Sequence, residues 1–174
     1  MLKVKESLIR DLLQAYNLEG ENFDDTPRRY IKTFEDLLNR PKPKLTTFPL
    51  NGVASMLFIK DYITWSLCPH HLLPVRYTCK IGYIPEQKVL GLSKLCRIAD
   101  YVMSALPLQE EIPGMIHAVL KFAISPKGCG VIITGEHLCM RMRGVQSENT
   151  TAVSSGMYGV FFTEAKAREE FLTL

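Results

Sequence analysis

The chain has 174 residues, 47% of them hydrophobic and 22% charged, which is enough for one well-buried core and short of two. Lys and Arg number 21 against 18 Asp and Glu, a net charge of +3, too mild for a surface that neutralises many phosphates, so nucleic-acid binding is set aside. No apolar run is long enough to cross a bilayer, and Met1-Leu2-Lys3-Val4-Lys5 leads into an amphipathic pattern rather than a secretory core, which reads as a cytoplasmic protein with no membrane partner.

Val4, Leu8, Leu12 and Tyr16 recur at helical spacing, widened by Ile9 and Leu13, and predict an amphipathic helix ending before Asn17-Leu18-Glu19-Gly20. A second helix is predicted from Asp25-Thr26-Pro27, with Thr26 as the cap, Pro27 at the first helical position, and Tyr30, Ile31, Phe34, Leu37 and Leu38 as its core face. Arg40-Pro41-Lys42-Pro43-Lys44 then makes a stiff connection, because proline cannot continue the helical hydrogen bonds. Residues 1–45 are read as a helical segment and 46–174 as the main domain, one structural unit overall.

β-Branched and aromatic residues dominate Met56 to Trp65 and Val75 to Ile84 and predict two strands. A helix follows from Gly91-Leu92-Ser93, with Leu95, Ile98, Ala99, Val102 and Leu106 inward, ending at Pro107. Another runs from about Glu110 to Leu120, with Pro113 in its first turn. Val131 to Arg143 reads as a strand, and period two places His137, Cys139, Arg141 and Arg143 on one face. A last strand, Met157 to Phe162, precedes a C-terminal helix capped by Thr163. This order argues an α+β fold with a largely antiparallel sheet.

Five cysteines at irregular spacing, with no signal peptide, argue against disulfides. Cys79, Cys96 and Cys129 read as structural. Cys68-Pro69-His70-His71 and His137-Leu138-Cys139 carry the chemistry: Cys68, His71 and Cys139 form a Cys₂His set of the kind that holds catalytic zinc and leaves a fourth position for water. His70 and His137 remain as imidazoles able to move protons near neutral pH. Taken singly, each residue has a plain alternative, since free cysteine is commonly buried and a lone histidine is usually only hydrogen-bonded. His117 reads as structural, and Trp65 as a core residue or a platform for a base.

The blocks CPHHLLP, GLSKLCRIADYV, LQEE and HLCMRMRGVQ, flanked by DTPRRYIK and REEFLTL, resemble GTP cyclohydrolase I over nearly the whole chain. The resemblance implies the tunnelling fold, an antiparallel sheet with helices on one face that closes between subunits into a pentameric barrel, two of which stack into a homodecamer. It implies GTP as substrate, attack at guanine C8, release of formate and rearrangement to 7,8-dihydroneopterin triphosphate. Cys68, His71 and Cys139 become zinc ligands, with Fe²⁺ also acceptable to such donors. His70 and His137 become the acid/base pair, and Gln109 and Glu110 the base-reading pair. Ser93, Lys94, Arg97 and Arg143 become triphosphate ligands, with Arg29 and Lys32 contributing from a neighbouring subunit.

Two positions depart from the family pattern: Pro69 stands where it usually has Glu, and Glu111 where it usually has Arg. They motivate a second reading, a divergent tunnelling-fold paralogue acting on another purine or pterin. A third is a non-catalytic subunit whose zinc only stabilises assembly, which predicts four protein ligands rather than three.

Overall fold

The computed structural model describes residues 2–53 and 55–174, with side chains from Lys5 onward. Its contacts separate Met1–Arg40 from Pro41–Leu174. In the first unit, α1 (Leu2–Ala15) and α2 (Thr26–Leu38) are joined by Lys5 Nζ to Glu35 Oε1 at 2.6 Å. The predicted stripe divides: Ile9 and Leu13 are half-buried, whereas Leu8 (64%), Leu12 and Tyr16 are exposed. Val4, its first member, has a side chain outside the described set. Thr26 is not the cap of α2 but its first residue; Asp25 holds the N-cap position, with its carboxylate turned to Arg28 and Arg29. Tyr30 is also exposed, against the sequence expectation.

The second unit is built on an antiparallel four-stranded sheet in the order β2-β3-β5-β6, with β2 at Leu57–Leu67, β3 at Pro74–Ile84, β5 at Gly128–His137 and β6 at Ala152–Gly159. A separate pair, β1 (Thr47–Pro49) and β4 (Lys88–Leu90), is too short to be seen as a sequence pattern. Period two shows clearly in β3, where Val75, Tyr77, Cys79, Ile81 and Tyr83 are all buried. They share one core with α3 (Ser93–Met103) and α4 (Ile112–Ile124), which contribute Leu95, Ile98, Val102, Ile112, Ile116 and Leu120. Tyr62 and Thr64 on β2 donate hydroxyl hydrogen bonds to Asp100 on α3 at 2.9 and 2.7 Å, tying that helix to the sheet.

Helices are not confined to one face. Gly82 and Gly130 are cross-strand partners on the face opposite that core, and the ring of Phe171 lies over both: a Cβ at Gly130 would fall 2.7 Å from Phe171 Cε1, and one at Gly82 2.9 Å from Cε2. Phe171 belongs to α7 (Ala165–Thr173), which is thereby seated on the opposite face, with Phe161 edge-on to it at 5.3 Å.

Five local expectations are corrected. Leu106 lies beyond the end of α3 at φ 51°, since that helix stops at Met103. The strand expected to run on to Arg143 ends at His137 and becomes a helical turn, α5 (Leu138–Arg141). Its pairing with β3 finishes at Val75 opposite His137, and the next residue across is Pro74, which has no N–H for the ladder. The strand expected at 157–162 ends at Gly159, where φ of 60° turns the chain into α6 (Val160–Thr163); Thr163 closes that turn, and Glu164 occupies the N-cap position of α7. Trp65 is 45% exposed, not core. Among the described residues, no helix is long and apolar enough to cross a membrane.

Candidate metal centre and active site

The connection from β2 to β3 is a tight turn built by Cys68. Its carbonyl accepts hydrogen bonds from His71 N at 3.3 Å and Leu72 N at 2.8 Å, while its own N–H donates to Leu73 O at 2.8 Å. Pro69 is the second residue of this turn, where a fixed φ is favourable and an N–H is not required. The unusual proline is thus compatible with the turn that carries the ligands. It leaves the Cys68 side chain buried and the two histidines exposed.

Cys139 arrives from the other side by the helical turn after β5, not by strand alternation. Cys68 Sγ, a His71 ring nitrogen and Cys139 Sγ all lie within 4.8 Å of one another. Metal bonds of about 2.3 Å to sulfur and about 2.0–2.1 Å to nitrogen, at a tetrahedral angle, separate two donors by about 3.6 Å. Cys68 Sγ and His71 Nδ1 are 3.6 Å apart. Burial, and then the adjoining Cys68, push the Cys139 thiol up, with Arg143 opposing. A divalent ion beside the Cys139 thiol would reverse that balance, since a coordinating thiol is deprotonated outright. Separation and donor chemistry both fit a thiolate-binding metal. His70 Nδ1 lies 3.8 Å from Cys68 Sγ but stands outside the three-donor group.

His137, the last residue of β5, has the ring of Tyr77 edge-on at 5.9 Å and 88°. Burial lowers its pKa, and the Glu110 carboxylate acts in the opposite direction. Gln109, in the 3₁₀ turn Gln109–Glu111, is only 7% exposed. Its Oε1 is 2.7 Å from His137 Nε2, its Nε2 donates to Ala152 O at 2.7 Å, and its carbonyl accepts from Ser154 Oγ at 3.0 Å. Glu110 is exposed beside it. The link from Gln109 to His137 was not legible in the sequence, and neither was Glu136, whose carboxylate takes Arg76 of β3 at 2.5 Å and Arg141 of α5 at 2.9 Å. That bridge pins the turn bearing Cys139 to the neighbouring strand.

The remaining predicted site residues lie on other elements. Ser93, Lys94 and Arg97 stand on the first turns of α3, with Ser93 and Arg97 exposed. Arg143 follows α5, exposed, and is close enough to act on the Cys139 thiol. Arg29 and Lys32 lie on α2, paired with Asp25 at 3.4 Å and Asp36 at 3.7 Å. Cys79 and Cys129 are fully buried and pushed up to about 12 by burial, as inert structural thiols should be. His117 is structural as read: its ring stacks on Tyr158 at 3.9 Å, with Nδ1 3.1 Å from Cys129 Sγ.

The sequence model of the family described as GTP cyclohydrolase I matches residues 5–174. The chain is 36% identical over 181 residues to the GTP cyclohydrolase 1 of Methylococcus capsulatus, covering 100% of this chain and 98% of that protein. It is 40% identical over 159 residues to the enzyme of that name in Coxiella burnetii, covering 88% and 86%. To the Drosophila melanogaster GTP cyclohydrolase 1 it is 38% identical over 185 residues, covering 98% of this chain and 57% of that protein.

Proposed function

The chain belongs to the GTP cyclohydrolase I family, and we propose that it hydrolyses GTP at guanine C8, releases formate and yields 7,8-dihydroneopterin triphosphate. One observation carries this reading: Cys68, His71 and Cys139 converge within 4.8 Å in a chain matched by the family over 5–174. Those three residues would hold Zn²⁺, or Fe²⁺, which the same donors accept. When bound, the metal supplies a Lewis acid that makes water nucleophilic near neutral pH.

The chain's own side chains supply the rest. C8 becomes electrophilic when N7 is protonated, and opening the ring requires a proton at the departing nitrogen. His137 and His70 are the groups to carry those protons, being imidazoles beside the metal donors. At the base end stand Gln109 and Glu110. The Glu110 carboxylate can accept from both N1–H and the exocyclic amine of guanine, a pair that adenine lacks. Ser93, Lys94, Arg97 and Arg143 would take the triphosphate, with Arg29 and Lys32 adding charge from a neighbouring subunit; Arg offers phosphate a planar fork and Lys a compact charge.

The assembly proposed is a decamer of two pentamers in the cytoplasm. Its support is the pair of sheet edges that β2 and β6 leave unpaired in the single chain, since long edges are normally covered or closed. The test is direct: zinc-loaded protein with GTP should release formate and a product that fluoresces after oxidation. A folded, zinc-loaded oligomer that does neither excludes the activity. The proximity of His70 Nδ1 to Cys68 Sγ, 3.8 Å, favours one competitor, a closed four-ligand zinc that only stabilises the assembly. X-ray absorption at the zinc edge separates them by outer-shell scattering from imidazole rings, which counts one histidine ligand in the open site and two in the closed one.

A further inference from the structure

We propose that Gln109 is a positioning residue that locks His137 in one tautomer and so decides which ring nitrogen exchanges protons with substrate. The inference rests on the catalytic role proposed for His137. Its structural basis is a row across the sheet: Tyr77, Gly135 and Ala152 are successive cross-strand partners on β3, β5 and β6. The Gln109 amide lies over the glycine of that row, where a Cβ would strike its Oε1.

An amide has one acceptor end and one donor end, and here an outside group tells them apart. The carbonyl of Ala152 can only accept, so the atom facing it at 2.7 Å is the amide nitrogen. The opposite end, 2.7 Å from His137 Nε2, is therefore the oxygen. An oxygen acceptor requires a proton on Nε2. The neutral ring then carries its lone pair on Nδ1, leaving that nitrogen as the basic site. The Ser154 hydroxyl donates to the main-chain carbonyl of Gln109 at 3.0 Å, and this bond together with the burial of the side chain holds the residue in place. His137 sits at the end of its strand with a single helical turn after it. The amide supplies a fixed partner for its ring at that point.

This assigns Gln109 to a different task from recognition of the base: its buried side-chain amide has a protein partner at each end, and base reading falls to Glu110. The two tasks separate kinetically. A residue that reads guanine changes KM when removed, whereas one that orients the proton carrier changes kcat.

The experiment uses the zinc-loaded full chain in two arms. Neutron diffraction, or solid-state NMR with ¹⁵N-labelled histidine, locates the ring proton of His137 in the unaltered protein; it is expected on Nε2, and a neutral ring protonated on Nδ1 overturns the proposal. Gln109→Leu is expected to lower kcat for formate release by about 10- to 100-fold, the scale of a misplaced catalytic group, with KM for GTP within about twofold and zinc retained. Gln109→Glu keeps an acceptor toward Nε2–H and should recover part of the lost kcat. A Gln109→Leu enzyme with normal kcat and raised KM also overturns the proposal. If the unaltered chain lacks cyclohydrolase activity the proposed function fails, while the position of the ring proton still decides the role of Gln109.

Discussion

Replacing Gly135 with alanine tests the packing beneath the site. The new methyl would point into Gln109 Oε1, 3.1 Å from Gln109 Cδ and 3.0 Å from Tyr77 Cε1. Tyr77 is 1% exposed and walled in by the core, so the amide has to give way. Restoring van der Waals contact moves it by roughly 1 Å. Bonds of 2.7 Å to Ala152 O and His137 Nε2 then stretch past the useful range. Two net hydrogen bonds at about 0.5–1.5 kcal/mol each come to about 1–3 kcal/mol. For a chain of 174 residues this lowers Tm by roughly 3–10 °C. The assay is thermal unfolding of metal-loaded protein, repeated in a Gln109→Ala background. There the obstacle is gone, and most of the alanine penalty should vanish, a coupling of about 1 kcal/mol or more. A Tm that does not move in the single variant, or a penalty equal in both backgrounds, refutes the reasoning.

Three more outcomes are expected. Cys139→Ser should leave the protein with little zinc after dialysis against a chelator, because a hydroxyl does not ionise as a thiol does beside a divalent ion; full retention by elemental analysis would remove Cys139 from the ligand set. Phe171→Ala, which empties the slot over Gly82 and Gly130, should cost about 3–5 kcal/mol in urea unfolding, and a loss under about 1 kcal/mol would mean that α7 is not anchored there. Burial, and then Lys121, hold the pKa of His117 below its ordinary value. The unfolded chain therefore binds the proton more readily, so this contribution to stability is complete above about pH 6.5 and is lost as pH falls through that value toward the lowered folded pKa. Unfolding measured from pH 7.5 to 5 should decline less steeply in His117→Phe, which keeps a ring against Tyr158; an unchanged slope would show that His117 is not the group responsible.

Much of the site was written in short-range features. Cys68 and His71 were recognisable by donor type and by their spacing within CPHH, because a turn of four residues brings its own ends together wherever it sits, and Cys139 by donor type alone. The buried row of β3 was equally legible, since alternation of Val75, Tyr77, Cys79, Ile81 and Tyr83 needs only the strand period and a covered face. The same rule failed from Leu138 onward. Whether a strand continues depends on what stands opposite, and Pro74 stands there only because β3 and β5 pair in this register.

By itself, then, the sequence determined the chemical kinds of the donors, the α+β class and the family. The tertiary structure decided that Cys139 comes in on a helical turn, that α7 covers the second face of the sheet, that the Leu8 and Leu12 line of α1 faces outward, and that Gln109 holds His137 across 28 positions of chain. The reason is physical: periodicity and turn chemistry act over a few residues, whereas register, burial and the partner of a buried amide are set by which strands and helices lie side by side.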